Sequence, residues 1–224
     1  MRDEINKLFA RIDEVKRECG ITREITVVAA TKTVSSERIN ELPKYGIKIA
    51  GENRVQELLD KCDEVRGLEW HFIGALQTNK VKYIIDKVSL IHSVDRESLA
   101  DEIDRQAEKR GIIANVLVEI NVGGEVSKSG VSPDRAKDLI DYVAAKKYVR
   151  LKGVMSVLPI NATDEQYVKL AEFGKYALEK YGADVISAGM SGDYEKAIRY
   201  GANMIRPGSA IFGKRNYTEI RKNG

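Results

Sequence analysis

The first β-branched apolar run of this chain, Ile25 to Ala30 (ITVVAA), ends on Thr31-Lys32-Thr33. Strand alternation puts Lys32 on the face of Val28 and Ala30, two small core positions. Most lysines are solvated. A lysine at the mouth of a barrel, its pKa lowered by desolvation, can instead attack an aldehyde and form a Schiff base. Near the other end of the chain stand two Gly/Ser turns, Gly189-Met190-Ser191-Gly192-Asp193 and Gly208-Ser209-Ala210, the second preceded by Arg206-Pro207. Glycines let backbone amides approach an anion, and a helix N-terminus adds partial positive charge. Ordinary strand-to-helix turns use the same residues, so the pattern alone leaves both roles open. A reactive lysine and a phosphate cradle in one mouth imply a phosphorylated aldehyde or ketone as ligand.

Such groups need a frame that brings residue 32 beside residues 191 and 206. Short apolar runs alternate with longer amphipathic segments along the whole chain: Ile25–Ala30, Ile47–Ala50, Trp70–Ile73, Val88–Val94, Val116–Val122, Leu151–Leu158, Val185–Met190 and Met204–Arg206. Helices are expected between them, with Asp95 as a cap, Ser132-Pro133 opening another and Thr163 with Gln166 forming a capping box. About eight strand–helix units in strict alternation predict a closed (β/α)₈ barrel. The rival, an open doubly wound sheet, carries a glycine fingerprint after its first strand; the turn here, Thr31 to Ser35, has no glycine. One domain over 1–224 is expected, with an N-terminal helical segment in 1–24 and a short tail in 214–224. Active sites of such barrels lie at the C-terminal strand ends, which selects Lys32, Asn53, Gly74, Ser93, Asn121, Ser156, Ser191 and Arg206. Asn53 with Gln56 also reads as a simple helix cap. His71 and His92 read as structural histidines within strands, Trp70 and Phe72 as core, and Gly123 to Gly130 as a polar lid or a plain loop.

The totals exclude other classes. A net charge of +3 comes from 37 basic and 34 acidic residues that are intermixed, so nucleic acid is not an expected partner. Cys19 and Cys62 stand singly, without metal-ligand or disulfide spacing. The first residues, MRDEINKLF, lack an apolar signal core, and no run reaches the ~20 apolar residues that span a bilayer. A soluble, cytoplasmic protein is expected.

At four segments the sequence resembles the YggS/PROSC family of pyridoxal phosphate homeostasis proteins. They are Ala29 to Thr33 (AATKT), Gly51 to Glu57 (GENRVQE), Trp70 to Lys80 (WHFIGALQTNK), and Gly189 to Asp193 with Ile205 to Gly213 (GMSGD, IRPGSAIFG). The resemblance spans nearly the whole chain. It implies a barrel like the N-terminal domain of alanine racemase, with pyridoxal 5′-phosphate (PLP) as an imine on Lys32. It also implies that Ser191, Gly208 and Ser209 hold the phosphate, Arg206 faces the pyridine nitrogen and Asn53 lies near the ring. Pro207, where many relatives have Ile, brings no amide to that cradle. The family role is to keep PLP bound, buffered and delivered to PLP-dependent apoenzymes, without robust turnover. No second-subunit residue is needed, so a monomer or weak homodimer is expected.

Two enzyme readings compete. A PLP-dependent racemase needs acid and base on opposite faces of a carbanion; related racemases take the second, a tyrosine, from an added β-domain across a dimer. Lys214 to Gly224 cannot build such a domain, and Tyr217 within it is a poor substitute. A Schiff-base aldolase on a sugar phosphate needs a nearby carboxylate, for which Glu52 is the strand-end candidate.

Overall fold

The computed structural model describes residues 1–124 and 129–213. The first helix, α1 (Arg2–Glu18), buries Ile5, Leu8, Ile12 and Val15, spaced three and four apart on one face. Asp3 and Glu4 in its first turn and Lys16 and Arg17 in its last complement the helix dipole. Then strands and helices alternate as β1 (Thr26–Ala30), α2 (Ser36–Ile39), β2 (Ile49–Glu52), α3 (Val55–Cys62), β3 (Glu69–Phe72), α4 (Val81–Ile84), β4 (Leu90–Val94), α5 (Glu97–Arg110) and β5 (Ala114–Glu119). The second half runs α6 (Ala136–Ala144), β6 (Val149–Met155), α7 (Asp164–Tyr181), β7 (Val185–Ser187), α8 (Tyr194–Arg199), β8 (Met204–Ile205) and α9 (Ser209–Phe212).

All eight strands pair in parallel in sequence order, and β8 closes on β1 through Thr26–Met204 and Val27–Ile205. The expected (β/α)₈ barrel is the observed architecture. Both faces of a parallel sheet are buried, so two apolar layers form. Val28, Ile73, Leu90, Leu117, Met155 and Met204 fill the barrel interior, while Ala29, Ala50, Phe72, Ile91 and Val116 pack outward against the helices. Trp70 joins the outer layer as core. No helix among the described residues is long and apolar enough to cross a membrane.

Several boundaries differ from the sequence expectation. The second strand is Ile49–Glu52, not Ile47–Ala50, because pairing sets its register: Ala30 lies opposite Gly51, and Gly51 opposite His71. The fifth to eighth strands end earlier than their apolar runs, since a strand persists only while both neighbours offer partners. Arg96, not Asp95, occupies the N-cap of α5, and α6 opens at Ala136, three residues past Pro133. The Thr163–Gln166 capping box forms as expected.

Gly153 shows how tightly the barrel closes. Its φ is +150°, and an added Cβ would lie 1.9 Å from the Val185 carbonyl oxygen. It sits where the β5–β6 register shifts between Val116 and Leu117, the setting of a bulge. Gly153→Ala is expected to cost about 2–4 kcal/mol of stability, in the range of severe backbone and packing lesions; urea denaturation of the pair of proteins measures it.

Candidate functional site

Lys32 leaves β1 half-buried, in a turn held from two sides. Before it, Thr31 is fully buried and donates from Oγ1 to Glu52 Oε1 at 2.8 Å. After it, Thr33 takes φ +63°, a left-handed conformation uncommon for a β-branched residue. Its amide donates to Glu57 Oε2 at 3.0 Å, which holds the chain in that turn. Lys61 on α3 completes the clasp, donating to Glu52 Oε1 at 2.7 Å and to the Thr31 carbonyl at 3.1 Å.

The same clasp corrects one expectation. Glu52 was a candidate for aldolase proton transfer, yet it is fully buried on the helix side of β2, opposite in parity to inward Gly51. Its other oxygen, Oε2, accepts the Asn53 amide at 3.1 Å. It fixes loops and does not face the barrel mouth. Asn53 itself is half-buried and is not the helix cap, since Arg54 occupies the N-cap of α3. Gly74, another strand-end candidate, is a spacer: a Cβ there would lie 2.2 Å from the Asn53 carbonyl oxygen. The loops after β2 and β3 can touch only because residue 74 has no side chain.

On the opposite side, the amides of Gly208 and Ala210 both donate to Ser191 Oγ at 3.0 Å. Two backbone N–H groups, from the N-cap and the first turn of α9, thus converge on one oxygen supplied by the β7–α8 turn. This cradle adjoins the lysine strand, because Ala30 N–H donates to the Pro207 carbonyl at 2.9 Å. The β7–α8 turn contributes a hydroxyl and not an open amide at Met190, whose N–H is taken by Asp193 Oδ1 at 2.7 Å. Ser209 is exposed as the first residue of α9.

Arg206 is 4% exposed inside the barrel. It donates from Nη1 to Ser187 Oγ at 2.6 Å and from Nη2 to the Ser156 carbonyl at 2.9 Å. Burial lowers its pKa to about 10, with Glu119 and Asp193 acting the other way, so it stays protonated at neutral pH. The contacts continue across the barrel: Ser187 Oγ lies 3.1 Å from His92 Nδ1, and His92 Nε2 lies 3.0 Å from His71 Nδ1. A guanidinium only donates. Because Ser187 Oγ already accepts from Arg206, the arrangement that uses the hydroxyl proton has Ser187 donating to His92 and His92 donating to His71. Burial pushes His71 down to about 4, and burial with the neighbouring His71 and Arg206 charges pushes His92 well below its ordinary value. Both rings are therefore neutral in ordinary buffers. Sequence reading set these histidines aside as structural; they are so, but as the far end of the arginine's hydrogen-bond chain.

The remaining candidates divide. Ser156 donates to the Ile120 carbonyl at 2.7 Å and supports the arginine shelf. Ser93 is buried with no partner for its Oγ. Asn121 is half-buried beyond β5, its amide bonded to the Val131 carbonyl at 2.9 Å. Residues 125–128 of the Gly123–Gly130 loop, and the tail with Tyr217, lie outside the described residues. Sequence reading missed Glu119, which continues the inward parity of Leu117 and ends β5. Counting alternate positions along Leu117-Val118-Glu119 would have found it.

The clasp at Lys32 gives a test. Lys61→Ala leaves Glu52 as an uncompensated buried charge, which is expected to cost about 3–5 kcal/mol. Denaturant titration at neutral pH measures the loss, and a cost below about 1 kcal/mol would show that the clasp does not hold the turn.

A family profile described as the alanine racemase N-terminal domain matches residues 4–216. The pyridoxal phosphate homeostasis protein of Aquifex aeolicus is 41% identical, over 96% of this chain and 98% of that protein. The structure of PipY from Synechococcus elongatus with PLP bound superposes with a TM-score of 0.77 at 27% identity, covering 91% of this chain and 99% of that one. Alanine racemase of Clostridium difficile shares the fold at 17% identity and TM-score 0.71, covering 96% of this chain but 57% of the racemase. Built on that racemase-type barrel, the chain belongs to the family of pyridoxal phosphate homeostasis proteins.

Proposed function

We propose that this chain binds pyridoxal 5′-phosphate covalently at Lys32 and serves to hold and buffer it inside the cell. The observation that carries the reading is the pair of Gly208 and Ala210 amides converging on one oxygen beside the lysine strand. An anionic oxygen accepts such bonds more strongly than a hydroxyl does. The homeostasis name of the Aquifex relative and the PLP in the PipY structure support the same ligand.

The residues present fit that group. The Lys32 amine would condense with the aldehyde and release water. Ser191, Gly208 and Ser209, with the Ala210 amide, hold the phosphate, and Asn53 borders the ring from β2. Arg206 keeps N–H groups beyond the two it spends on Ser187 and Ser156, and these would be free to donate to the ring nitrogen. When bound, PLP supplies an aldehyde for the covalent link and a ring that can withdraw electrons from a carbanion. Arg206 opposes the second property: it can only donate, so the ring nitrogen must accept and remain unprotonated, where a carboxylate would have favoured the stronger electron sink. A holder with little turnover follows. Delivery to PLP-dependent apoenzymes, by a cytoplasmic monomer or weak homodimer, is the matching cellular role.

Two measurements test this. Borohydride reduction after incubation with PLP should place a phosphopyridoxyl group on the Lys32 peptide, and Lys32→Ala should abolish it; label mainly on another lysine overturns the assignment. Direct titration should show pyridoxal binding about 100-fold or more weaker than PLP, since each charge-assisted bond to the phosphate is worth about 1.5–3 kcal/mol. Equal affinities would rule the cradle out.

A further inference from the structure

Among the described residues, two buried side-chain oxygens have no hydrogen-bond partner: Ser93 Oγ and Glu119 Oε2. The second is the more costly, because a carboxyl group removed from water without a partner loses its solvation in either protonation state. Glu119 is 4% exposed, closes β5 and continues the inward register of Leu117. On β6 it faces Met155, which carries no charge. From the end of β4, Asp95 repels it, although Arg96 pairs with that aspartate at 2.5 Å. From β8, Arg206 attracts it. His92 and His71, the other titratable groups on the inward faces of β4 and β3, are neutral. A buried carboxyl kept between an aspartate and a buried arginine, yet bonded to neither, is the pattern of a group waiting for a ligand.

The chemistry of the ring says which part of the ligand reaches it. In PLP the nitrogen and the aldehyde-bearing carbon are opposite one another. The phosphate arm flanks one side of that axis, and the 3-oxygen flanks the other. With the aldehyde at Lys32, the nitrogen at Arg206 and the phosphate at the β7 and β8 turns, the 3-oxygen must face the strand ends of β2 to β5. Of the inward polar groups there, Glu119 is the one with a buried, unpartnered atom.

We propose that Glu119, in its protonated form, donates a hydrogen bond to the 3-oxygen of the bound ring and is thereby a specificity-determining residue of this site. The proposal rests on the reading that PLP binds here. It carries a pH sign. Burial and the Asp95 charge push the Glu119 carboxyl up to about 7, against the pull of Arg206. Below that value the acid donates; above it the carboxylate has no proton to give and repels an oxyanion. Preference for the 3-oxygen therefore falls as pH rises through this range.

The test compares PLP with its 3-deoxy analogue, which keeps the aldehyde and phosphate, on wild type, Glu119→Gln and Glu119→Ala. Equilibrium affinities are measured at pH 6 and pH 8.5, with borohydride capture on Lys32 as the check of binding. The 3-oxygen also affects the imine directly, so the quantity read is the PLP-to-analogue ratio in each variant relative to wild type. Wild type at pH 6 should exceed Glu119→Ala by about tenfold or more in this ratio, as expected for a hydrogen bond to a charged oxygen. Glu119→Gln, which retains an N–H donor and cannot ionise, should keep most of the preference and lose the difference in ratio between pH 6 and 8.5. A ratio in Glu119→Ala equal to that of wild type, with both ligands still captured on Lys32, overturns the role of Glu119 and leaves PLP binding standing. Failure of wild type to capture PLP at all overturns both.

Discussion

A guanidinium enclosed in a barrel must find acceptors inside it, and much of the site follows from where Arg206 finds them. Ser187 Oγ and the Ser156 carbonyl take two of its protons. Because the arginine only donates, Ser187 must pass its own proton on, and the two histidines extend the chain to the far side of the barrel. Charging either histidine would add a second buried cation to the first, so burial and mutual repulsion keep them neutral. The interior is thus arranged around one fixed positive charge whose nearest counter-charges, Glu119 and Asp193, act from a distance. Such a site is prepared for an acceptor and for an anion.

The rim is built by a different device. Glu52 and Lys61 form a buried ion pair, and buried pairs add little stability by comparison with apolar packing. What this pair does is geometric. One carboxylate and one ammonium tie the end of β1 to the end of β2 and to α3, through Thr31, Asn53 and the Thr31 carbonyl. Lys32 therefore leaves its strand in a fixed direction, between an anchored threonine and a left-handed one. Gly74 lets the next loop close against Asn53 without displacing it. The cradle at Gly208 and Ala210 approaches the same strand from the other neighbour, β8. Lysine and cradle meet because barrel closure makes the first and last strands adjacent.

The barrel occupies 57% of the alanine racemase it superposes on, so what the two chains share is the fold of the barrel. In the proposed reading, the lysine at the aldehyde, the cradle at the phosphate and the arginine opposite the ring nitrogen together retain PLP. Retention and catalysis ask opposite things of the ring: a tight covalent hold on one hand, a strong electron sink on the other. The proposed role as a holder follows from a site that supplies the first and, through Arg206, withholds the second.

Strict alternation of apolar runs and amphipathic segments, with no glycine fingerprint after the first run, was enough to determine the barrel class. The position of Lys32, Ser191, Gly208 and Arg206 at strand ends was equally legible, because period-two alternation and the handover from strand to loop are local properties. The parity of Glu119 was also present in the sequence and was overlooked. Tertiary structure decided the rest. Strand limits shifted by two residues at β2 because register belongs to the neighbours, not to the run itself. Glu52 turned from a candidate acid into a loop anchor because Lys61, nine positions away, comes back over it on α3. The link from Arg206 to His71 joins β8, β7, β4 and β3, and no spacing along the chain encodes it. Hydrogen-bond partners across a closed barrel are chosen by geometry through space, and that geometry exists only once all eight strands are in place.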